Sequence, residues 1–381
     1  MQQQLSINIC GDFYIDPSLH EEPYFDNSII SLFNDADLNI INLESPVTEN
    51  TSTGITKSGP HLHQTEGSLA QLKNLNTGLV TLANNHIMDY GPDGLQSTLI
   101  ACKRNSIRTV GAGLSIEEAR EPFTMETQGK KLAVLNFTEH EYSVASSLKP
   151  GANPFDIVEC SRQIIAAKQN HEFVIVIIHG GHEHYSLPSP RMVAQYRFLA
   201  EMGASVIVGH HTHCMSGFEI YNHVPIFYSL GNFFFTREFE SDSANLGLVL
   251  NLKLTESGNI TWDLVPIRKQ NARHLLSRLT GDESEIVLGK LKNYNSIITD
   301  QSLLIKNWNT FIDQNINETL FVFSPINMIR NKKIKRALKK IGIGRLFINK
   351  SHYNKMFSYM NCESLLDVSL SSIQKFLKIE K

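Results

Sequence analysis

The chain has 381 residues, of which 41% are hydrophobic and 19% are charged. This composition is typical of a globular protein that can bury one large core and carry a smaller appendage. The sequence has no low-complexity tract, no repeat of fixed period and no apolar run of about eighteen residues. Solenoid, collagen-like and membrane-spanning classes are therefore excluded.

The net charge of −3 hides an asymmetry between the two parts of the chain. From residue 325 onward there are 13 Lys and Arg against 3 Asp and Glu, a net charge of +10. Residues 1–324 carry 22 against 35, a net charge of −13. The basic charge is concentrated at the C-terminus.

The cysteines and the N-terminal residues indicate the cellular compartment in which the protein is expected. The five cysteines are scattered, odd in number and without a C-x-x-C pair, which favours reduced core thiols over disulfides or a structural zinc site. Residues 1–10 lack the basic and apolar regions of a secretion signal. We expect a cytoplasmic protein that can also lie peripherally at the inner membrane surface.

Strand-like apolar runs alternate with helix-like segments up to about residue 235, which predicts an α/β sandwich. The clearest strands are residues 5–10, 38–43, 77–82, 131–137, 173–179 and 204–209. Alternating runs at 246–254 and 260–266, joined by a turn at 256–259, predict an antiparallel hairpin that closes the sheet. From about residue 271 the pattern is polar and helical. We therefore predict a domain at 1–270 and a mainly helical, basic region at 271–381.

Carboxylates follow two of the predicted strands. Asp12 comes after the first strand and Gly11, a residue that lets the backbone turn tightly. Glu44 follows a run too apolar for a surface strand, where a carboxylate needs a partner. Taken singly, Asp12 is equally well explained as a helix cap and Glu44 as half of a buried salt bridge.

Amides and imidazoles follow two further strands. Asn84, Asn85 and His86 come after the run that ends at Leu82, although Asn-Asn pairs are also common in turns. His179 ends the most apolar run of the chain, and a cluster of polar residues follows it: Gly180-Gly181-His182-Glu183-His184. A histidine cluster after two glycines is less often structural than a lone strand-end histidine.

The most specific element is the loop Gly209-His210-His211-Thr212-His213. Packing rarely requires three imidazoles within four residues. Residues two apart on an extended segment point the same way, so His211 and His213 are expected to face one site.

Five strand ends that each deliver a metal-type ligand predict a metal centre. Hydrolytic sites of this kind gather carboxylates and imidazoles around ions ~3.5–4 Å apart. We expect one or two divalent ions. Histidine, amide and carboxylate ligands suit Mn, Fe, Zn and Co alike, so the sequence does not distinguish these metals.

The ordered motifs of residues 5–235 resemble those of the CapA family, the poly-γ-glutamate capsule synthesis proteins, whose domain is similar to the calcineurin-like metallophosphoesterases. The motifs are Gly11-Asp12, Asn42-Leu43-Glu44-Ser45-Pro46, Ala83-Asn84-Asn85-His86 with Asp89 and Gly91, Gly111-Ala112-Gly113 before Glu118-Ala119, His179-Gly180-Gly181, Gly209-His210-His211-Thr212-His213 and Tyr228-Ser229-Leu230-Gly231-Asn232-Phe233.

The resemblance implies a metallophosphoesterase-like α/β sandwich with mixed sheets. It also implies that Asp12 and His213 hold one metal ion, that Glu44 bridges the pair, and that the other ion is held by Asn85, His179 and His211. His86 is then the catalytic residue that stabilises the transition state or protonates the leaving group. Further polar residues of these loops are expected to bind substrate: Asn84, His182, Glu183 and His210.

The sequence departs from the general metallophosphoesterase pattern at one position. Two residues after the first aspartate that pattern has a histidine, and this chain has Tyr14. One metal position is therefore expected to be weaker or to be filled differently.

We expect a phosphoesterase-like, metal-dependent hydrolase that assembles or trims a capsule or other surface polymer. Its substrate is expected to be an anionic polymer or a phosphoester, and an amide substrate stays open. The alternative is a non-hydrolytic, metal-containing binding subunit of a polymer synthesis complex. His86 counts against that alternative, because it is not a metal ligand in this scheme.

Partners are suggested by the basic C-terminus. Ile334, Ala337, Leu338 and Ile341 recur at helical spacing opposite lysines. The segment is either a solvated helix face or a contact for the membrane surface, an anionic polymer or a synthase partner. Nucleic acid is not expected as a partner, because the catalytic region is acidic and has no basic groove rich in aromatic residues.

Overall fold

The architecture is a mixed α/β sandwich, as the alternation of strand and helix patterns predicts. The computed structural model describes residues 4–322, apart from residues 20–22, 58, 128, 238–241 and 256–257, and beyond them residues 329, 331–340, 356, 360 and 373. The strands are β1 (Leu5–Tyr14), β2 (Leu38–Leu43), β3 (Leu79–Thr81), β4 (Arg108–Val110), β5 (Ala112–Gly113), β6 (Phe123–Thr127), β7 (Lys130–Thr138), β8 (Gly151–Ala152), β9 (Phe173–His179), β10 (Val206–His210), β11 (Phe218–Tyr221), β12 (Val224–Phe227), β13 (Asn232–Phe235), β14 (Leu246–Leu254), β15 (Ile260–Gln270) and β16 (Leu275–Arg278).

The helices mostly start at side-chain caps. They are α1 (Asn27–Asn34), α2 (Glu66–Asn74), α3 (Gly91–Arg104), α4 (Ile116–Arg120), α5 (Ile157–Asn170), α6 (Pro190–Glu201), α7 (Gly281–Thr299), α8 (Gln301–Val322) and α9 (Lys332–Lys340). Asp26 and Asp156 accept hydrogen bonds from the first free N–H groups of α1 and α5, and Ser189 does so for α6. Short 3₁₀ turns lie at Asp242–Asn245 and Asn271–Arg273.

Two large sheets carry the fold. One has the order β16-β15-β14-β1-β2-β3-β4, with β13 also paired to β1, and the other has the order β11-β12-β10-β9-β7-β6. Strands β1 to β4 run parallel, as do β7, β9, β10 and β12. The hairpin of β14 and β15 is antiparallel and lies beside β1, and residues 256–257 of its turn lie outside the described residues.

The core forms three apolar layers, because each buried strand presents alternate residues to its two faces. Ile175 and Ile177 of β9 face the layer between the sheets, which also contains Ile7 and Ile9 of β1. The alternate residues of β9 belong to the layer beneath α5 and α6, together with Ile164 and Tyr196 from those helices: Val174, Val176 and Ile178. Helices α1, α2 and α3 cover the outer face of the first sheet. Cys10, Cys102, Cys160 and Cys214 are buried free thiols.

The chain divides into two compact units, Met1–Leu304 and Ile305–Lys381. The first unit includes β16, which extends the larger sheet, and α7, which packs against β11 and β15. The sequence pattern alone placed a boundary near residue 270, ahead of these two elements. Most of the described residues of the C-terminal unit are helical, and Ile341 lies outside the described residues. Within the described part of the chain, every helix is too short or too polar to cross a membrane.

Strand β1 is irregular at Gly11. Its register with β2 shifts between Cys10 and Asp12, so the strand bulges there. A Cβ atom on Gly11 would lie 1.7 Å from the carbonyl oxygen of Gly231. Only glycine fits this close approach of two backbones, which carries Asp12 to the end of the sheet.

We expect Gly11→Ala to destabilise the fold by about 3 kcal/mol or more, because the added methyl group overlaps backbone that has no room to move. Urea unfolding of both proteins measures the difference. Gly289→Ala is the matched control: an added Cβ meets no heavy atom within 4 Å there, and the change should stabilise α7 by about 0.5–1 kcal/mol. Equal stabilities of Gly11→Ala and wild type would contradict the prediction.

Candidate metal centre

The candidate ligands converge where the parallel strands of both sheets end. Asp12 lies near the end of β1, and Glu44 directly follows β2. Asn85 lies in the turn after β3, while His179 is the last residue of β9. His211 and His213 follow β10. The carboxyl ends of parallel strands meet at one edge of a sheet, and here the edges of two packed sheets meet.

The ligand atoms form two groups that share Glu44. Glu44, His179 and His211 make one group, and Asp12, Glu44 and His213 make the other; the atoms within each group lie within 4.8 Å of one another. Glu44 Oε1 lies 3.6 Å from His179 Nε2 and 3.8 Å from His213 Nε2. This is the arrangement that a carboxylate bridging two cations requires.

The first group has an amide as a fourth member. Asn85 Oδ1 lies 3.0 Å from His179 Nε2, and His211 Nδ1 lies 3.0 Å from that same nitrogen. The second group has fewer candidate side chains. Tyr14 does not join it, because its hydroxyl donates to Asp16 Oδ2 at 3.3 Å and its ring packs against Phe235.

Glu44 provides the strongest indication of a cation. Its side chain is fully buried, and both carboxylate oxygens lack a hydrogen-bond donor among the described residues. A buried carboxylate without a donor costs several kcal/mol unless a charge compensates it. The donor set of two carboxylates, three imidazoles and an amide oxygen fits divalent metal ions.

Burial shapes the charge state of the whole cluster. Burial raises the pKa of Asp12 to about 7, although hydrogen bonds from Asn42 and His211 oppose the shift. Burial and the neighbouring Asp12 raise the pKa of Glu44 well above its usual range. Burial lowers the pKa of His213 to about 3 and that of His179 well below its usual range. The imidazoles are therefore neutral at pH 7, which is the form that binds metal.

Two asparagines orient the ligands, and the sequence-based assignment of roles missed both. Asn42 Nδ2 donates to Asp12 Oδ1 at 2.7 Å. Asn232 Nδ2 donates to the Ala244 carbonyl at 2.9 Å, so its Oδ1 accepts from His213 Nδ1 at 2.9 Å and leaves Nε2 toward Glu44. Their presence inside the Asn42-Leu43-Glu44 and Gly231-Asn232 motifs was the available signal.

The loop after β10 has an unusual backbone conformation at the two histidines that it brings to the site. His211 and His213 have φ values of 89° and 54°, in the left-handed region that residues other than glycine rarely adopt. The sequence argument assumed an extended segment with alternating side chains. In the structure, both rings reach the cluster because His211 and His213 themselves adopt left-handed backbone conformations. Backbone strain of this kind is typical of functional sites.

His86 lies beside the cluster, and its side chain is 10% exposed. Its Nδ1 lies 2.7 Å from Asp89 Oδ2 and 3.2 Å from Lys57 Nζ. Asp89 also forms an ion pair with Lys57. Nothing in the sequence points to a role for Lys57, because residues 46–64 lack a strand or helix pattern that would place them near His86.

The residues expected to bind substrate differ in how deeply they are buried. Asn84 is fully buried; its Nδ2 donates to the Leu43 carbonyl at 2.8 Å, and its Oδ1 accepts from the His86 N–H at 3.1 Å. His210 is 1% exposed, and burial lowers its pKa to about 3. His182 is half-buried and Glu183 is exposed at the rim. Substrate binding by these residues stays a prediction.

The rim of the site is acidic. Glu183, Glu141 and Glu139 all favour the charged form of His211, against the larger effect of burial. Burial alone would raise the pKa of Glu139, but the Gly181 N–H at 2.8 Å and the Arg191 guanidinium at 2.7 Å hold it below its usual value. Glu139 therefore stays ionised and holds the loop that carries His182 and Glu183.

The fold and the paired ligand groups together define an α/β sandwich protein with a candidate dinuclear metal centre. Residues 6–237 match the sequence profile of the family described as bacterial capsule synthesis protein PGA_cap. The chain belongs to this family, and the resemblance to CapA proteins is confirmed.

Individual relatives agree with this assignment. The chain is 33% identical over 231 residues to the PGA biosynthesis protein CapA of Bacillus subtilis (strain 168), covering 59% of this chain and 60% of the relative. It is 31% identical over 261 residues to the capsule biosynthesis protein CapA of Bacillus anthracis, covering 66% and 61%. The chain thus spans about 60% of the length of these relatives. Among solved structures, the 5'-nucleotidase of Candida albicans SC5314 is 10% identical with a TM-score of 0.41, over 81% of this chain and 58% of that one.

The raised pKa of Asp12 predicts a pH dependence of the metal-free protein. The folded state binds this proton more tightly than the unfolded state, whose carboxyl has the ordinary pKa of 3.8. The stability from Asp12 is therefore fully present below about pH 4 and is lost as the pH rises through about 7. Asp12→Asn has no such loss. In the presence of chelator, the free energy of unfolding of the variant relative to that of wild type should rise by on the order of 3 kcal/mol as the pH increases between these two values.

Urea unfolding of both proteins at several pH values between 5 and 8 tests this expectation. Asp12→Asn also removes the repulsion that raises the pKa of Glu44, and this change acts in the same direction as the loss of the Asp12 carboxylate. A difference in unfolding free energy that stays constant with pH would contradict the assignment of a buried, uncompensated Asp12.

Proposed function

We propose that the protein is a metal-dependent hydrolase of the phosphoesterase type that acts in the synthesis or trimming of a capsule or similar surface polymer. The observation that carries the proposal is the buried Glu44, whose carboxylate has no hydrogen-bond donor among the described residues and is shared by two ligand groups. The names of the Bacillus relatives support the link to poly-γ-glutamate capsules.

The two groups suggest unequal metal positions. Glu44, His179, His211 and the Asn85 amide would hold one ion, and Asp12, Glu44 and His213 the other. When bound, such ions supply the Lewis acid that activates water and the electrophilic centre. In this scheme the first position has one more protein ligand than the second, which lacks the histidine of the general pattern because Tyr14 stands there.

His86 would act on the leaving group. Asp89 accepts its Nδ1–H, so Nε2 is the nitrogen available to donate or accept a proton. Its position next to Asn85 brings it to the edge of the ligand groups. General acid catalysis of this kind contributes about 10²–10⁴-fold to a rate.

The substrate class follows from charge. The rim carboxylates Glu141 and Glu183 would repel an anionic substrate, so the bound ions must supply the attraction. A phosphoester fits such a site, and a γ-glutamyl amide is the second candidate. The non-hydrolytic binding subunit is the rival function, and an Asn85→Ala variant with unchanged cellular function would favour it.

Elemental analysis of protein purified without chelator tests the metal centre. We expect one to two equivalents of divalent metal in wild type and loss of both in the double variant His211→Ala/His213→Ala, because each residue belongs to one ligand group. Removal of metal should also lower the melting temperature, since about 2.7 kcal/mol of stabilisation accompanies a metal at 100 times its Kd.

His86→Asn separates catalysis from metal binding. The variant should keep the metal content of wild type and lose about 100-fold or more in kcat on p-nitrophenyl phosphate or bis(p-nitrophenyl) phosphate. A γ-glutamyl anilide tests the amide alternative. Metal-replete wild type that hydrolyses none of these probes would favour the binding subunit, and protein without metal would refute both.

We infer that α9 docks on an anionic membrane surface. The side chain of Asn331 caps the start of this helix. Its Oδ1 accepts hydrogen bonds from the backbone N–H groups of Lys333 at 3.0 Å and Ile334 at 3.2 Å. The helix carries no acidic residue, and Ile334 is 51% exposed on the face opposite most of the basic residues. Basic residues near anionic lipid contribute about 1 kcal/mol each, and the apolar face adds burial in the headgroup region.

Co-sedimentation of the full chain with vesicles tests this contact. We expect binding to vesicles rich in phosphatidylglycerol, weaker binding in high salt and little binding to phosphatidylcholine. Lys332→Glu/Lys333→Glu should reduce binding about tenfold or more. Lys103→Glu/Lys131→Glu makes the same charge change on the first unit and should have little effect. Equal losses in the two double variants would refute a specific role for α9.

A further inference from the structure

Lys57 is a buried charge that the proposed mechanism does not use. Its side chain is only 4% exposed, and its ammonium group pairs with the fully buried carboxylate of Asp89. A buried ammonium is costly unless it is paired, so this position is specified by the partner. Lys57 lies in the segment between β2 and α2, far in sequence from the turn that it contacts.

Asp89 connects that segment to the turn of His86. Its Oδ2 accepts from the Leu62 N–H at 2.7 Å and contacts His86 Nδ1 at 2.7 Å. Its backbone carbonyl accepts from the Ile55 N–H at 3.0 Å. Its Oδ1 accepts from Lys57. The orientation of the carboxylate is therefore fixed by donors from three directions.

This network selects one form of the His86 ring. A carboxylate only accepts hydrogen bonds, so Asp89 requires the proton on Nδ1. Lys57 Nζ lies 3.2 Å from the same Nδ1 but only donates, so it cannot bond a protonated nitrogen. Its bond goes to Asp89 instead. The proton on Nδ1 leaves Nε2 free for the substrate.

We propose that Lys57 is a positioning residue: by holding Asp89, it keeps His86 in the Nδ1–H form with Nε2 directed at the substrate. The proposal rests on the proposed hydrolase function. Without the ammonium group, Asp89 Oδ1 has no other donor among the described residues in this buried place. The carboxylate is then held only through Oδ2 and can turn, which loosens its hold on the ring of His86.

A purely structural role for Lys57 is the rival reading, since the same ion pair also fastens residues 55–62 to the fold. The two roles differ in what the loss of Lys57 does when His86 is already absent. If Lys57 is only structural, the loss of kcat caused by Lys57→Met adds to the loss caused by His86→Asn. If Lys57 positions His86, removing Lys57 has no further effect on kcat once His86 is absent.

The test compares metal-loaded full-length wild type, Lys57→Met, Lys57→Arg, His86→Asn and the double variant Lys57→Met/His86→Asn on p-nitrophenyl phosphate. We expect Lys57→Met to lower kcat about 10-fold or more with KM and metal content unchanged. Lys57→Arg should restore most of the rate because it keeps the charge. In the His86→Asn background, Lys57→Met should change kcat by less than about twofold.

Lys130→Met is the matched control for removal of a buried lysine. Lys130 is 3% exposed, and its Nζ donates to the Leu254 carbonyl at 2.8 Å, away from the ligand groups. Its removal should leave kcat unchanged. Loss of metal in Lys57→Met, or a full additional loss of rate in the His86→Asn background, would overturn the proposal.

A readout without turnover separates this proposal from the hydrolase function. Nitrogen-15 shifts of the His86 ring report which nitrogen carries the proton. Wild type should show the Nδ1–H form and Lys57→Met a mixture, even if the protein hydrolyses none of the probes. The Nδ1–H form alone in both proteins would refute the role of Lys57 whatever the fate of the hydrolase proposal.

Discussion

Two buried carboxylates, Asp12 and Glu44, constrain the rest of this structure. They lie among imidazoles that burial keeps neutral, so these rings do not compensate the negative charge. Such a cluster is stable only with a cation or with protonated carboxyls. The sheet edges and the Gly11 bulge hold these groups together against their repulsion, which is the preorganisation that a metal centre needs.

The two asparagines that orient the ligands add no charge to the site. Asn42 and Asn232 orient Asp12 and His213 as neutral amides. The nearby carboxylate of Asp89 is paired with Lys57, but it still contributes to the raised pKa of Glu44. The negative charge of the candidate ligands is therefore reinforced by acidic neighbours, including Glu141 and Glu183, and this field would attract bound cations.

Charge also separates the two parts of the chain. Residues 1–324 carry a net −13, and acidic side chains surround the site, while the segment from residue 325 onward carries a net +10. An acidic unit is repelled by an anionic surface, whereas a basic amphipathic helix is attracted to it. Contact with the membrane and contact with the substrate would therefore fall to different parts of the chain.

The sequence by itself determined the α/β class, the main strands and the candidate ligands, because buried strands leave an apolar signature and ligand residues stand where such runs end. The family resemblance already implied a shared Glu44, and the structure places Glu44 in two ligand groups. Only the tertiary structure showed that the Tyr14 hydroxyl donates to Asp16. It also brought Lys57 to His86 and placed β16 and α7 in the first unit. These facts depend on contacts between residues far apart in sequence and on left-handed backbone at His211 and His213, neither of which leaves a periodic pattern in the chain.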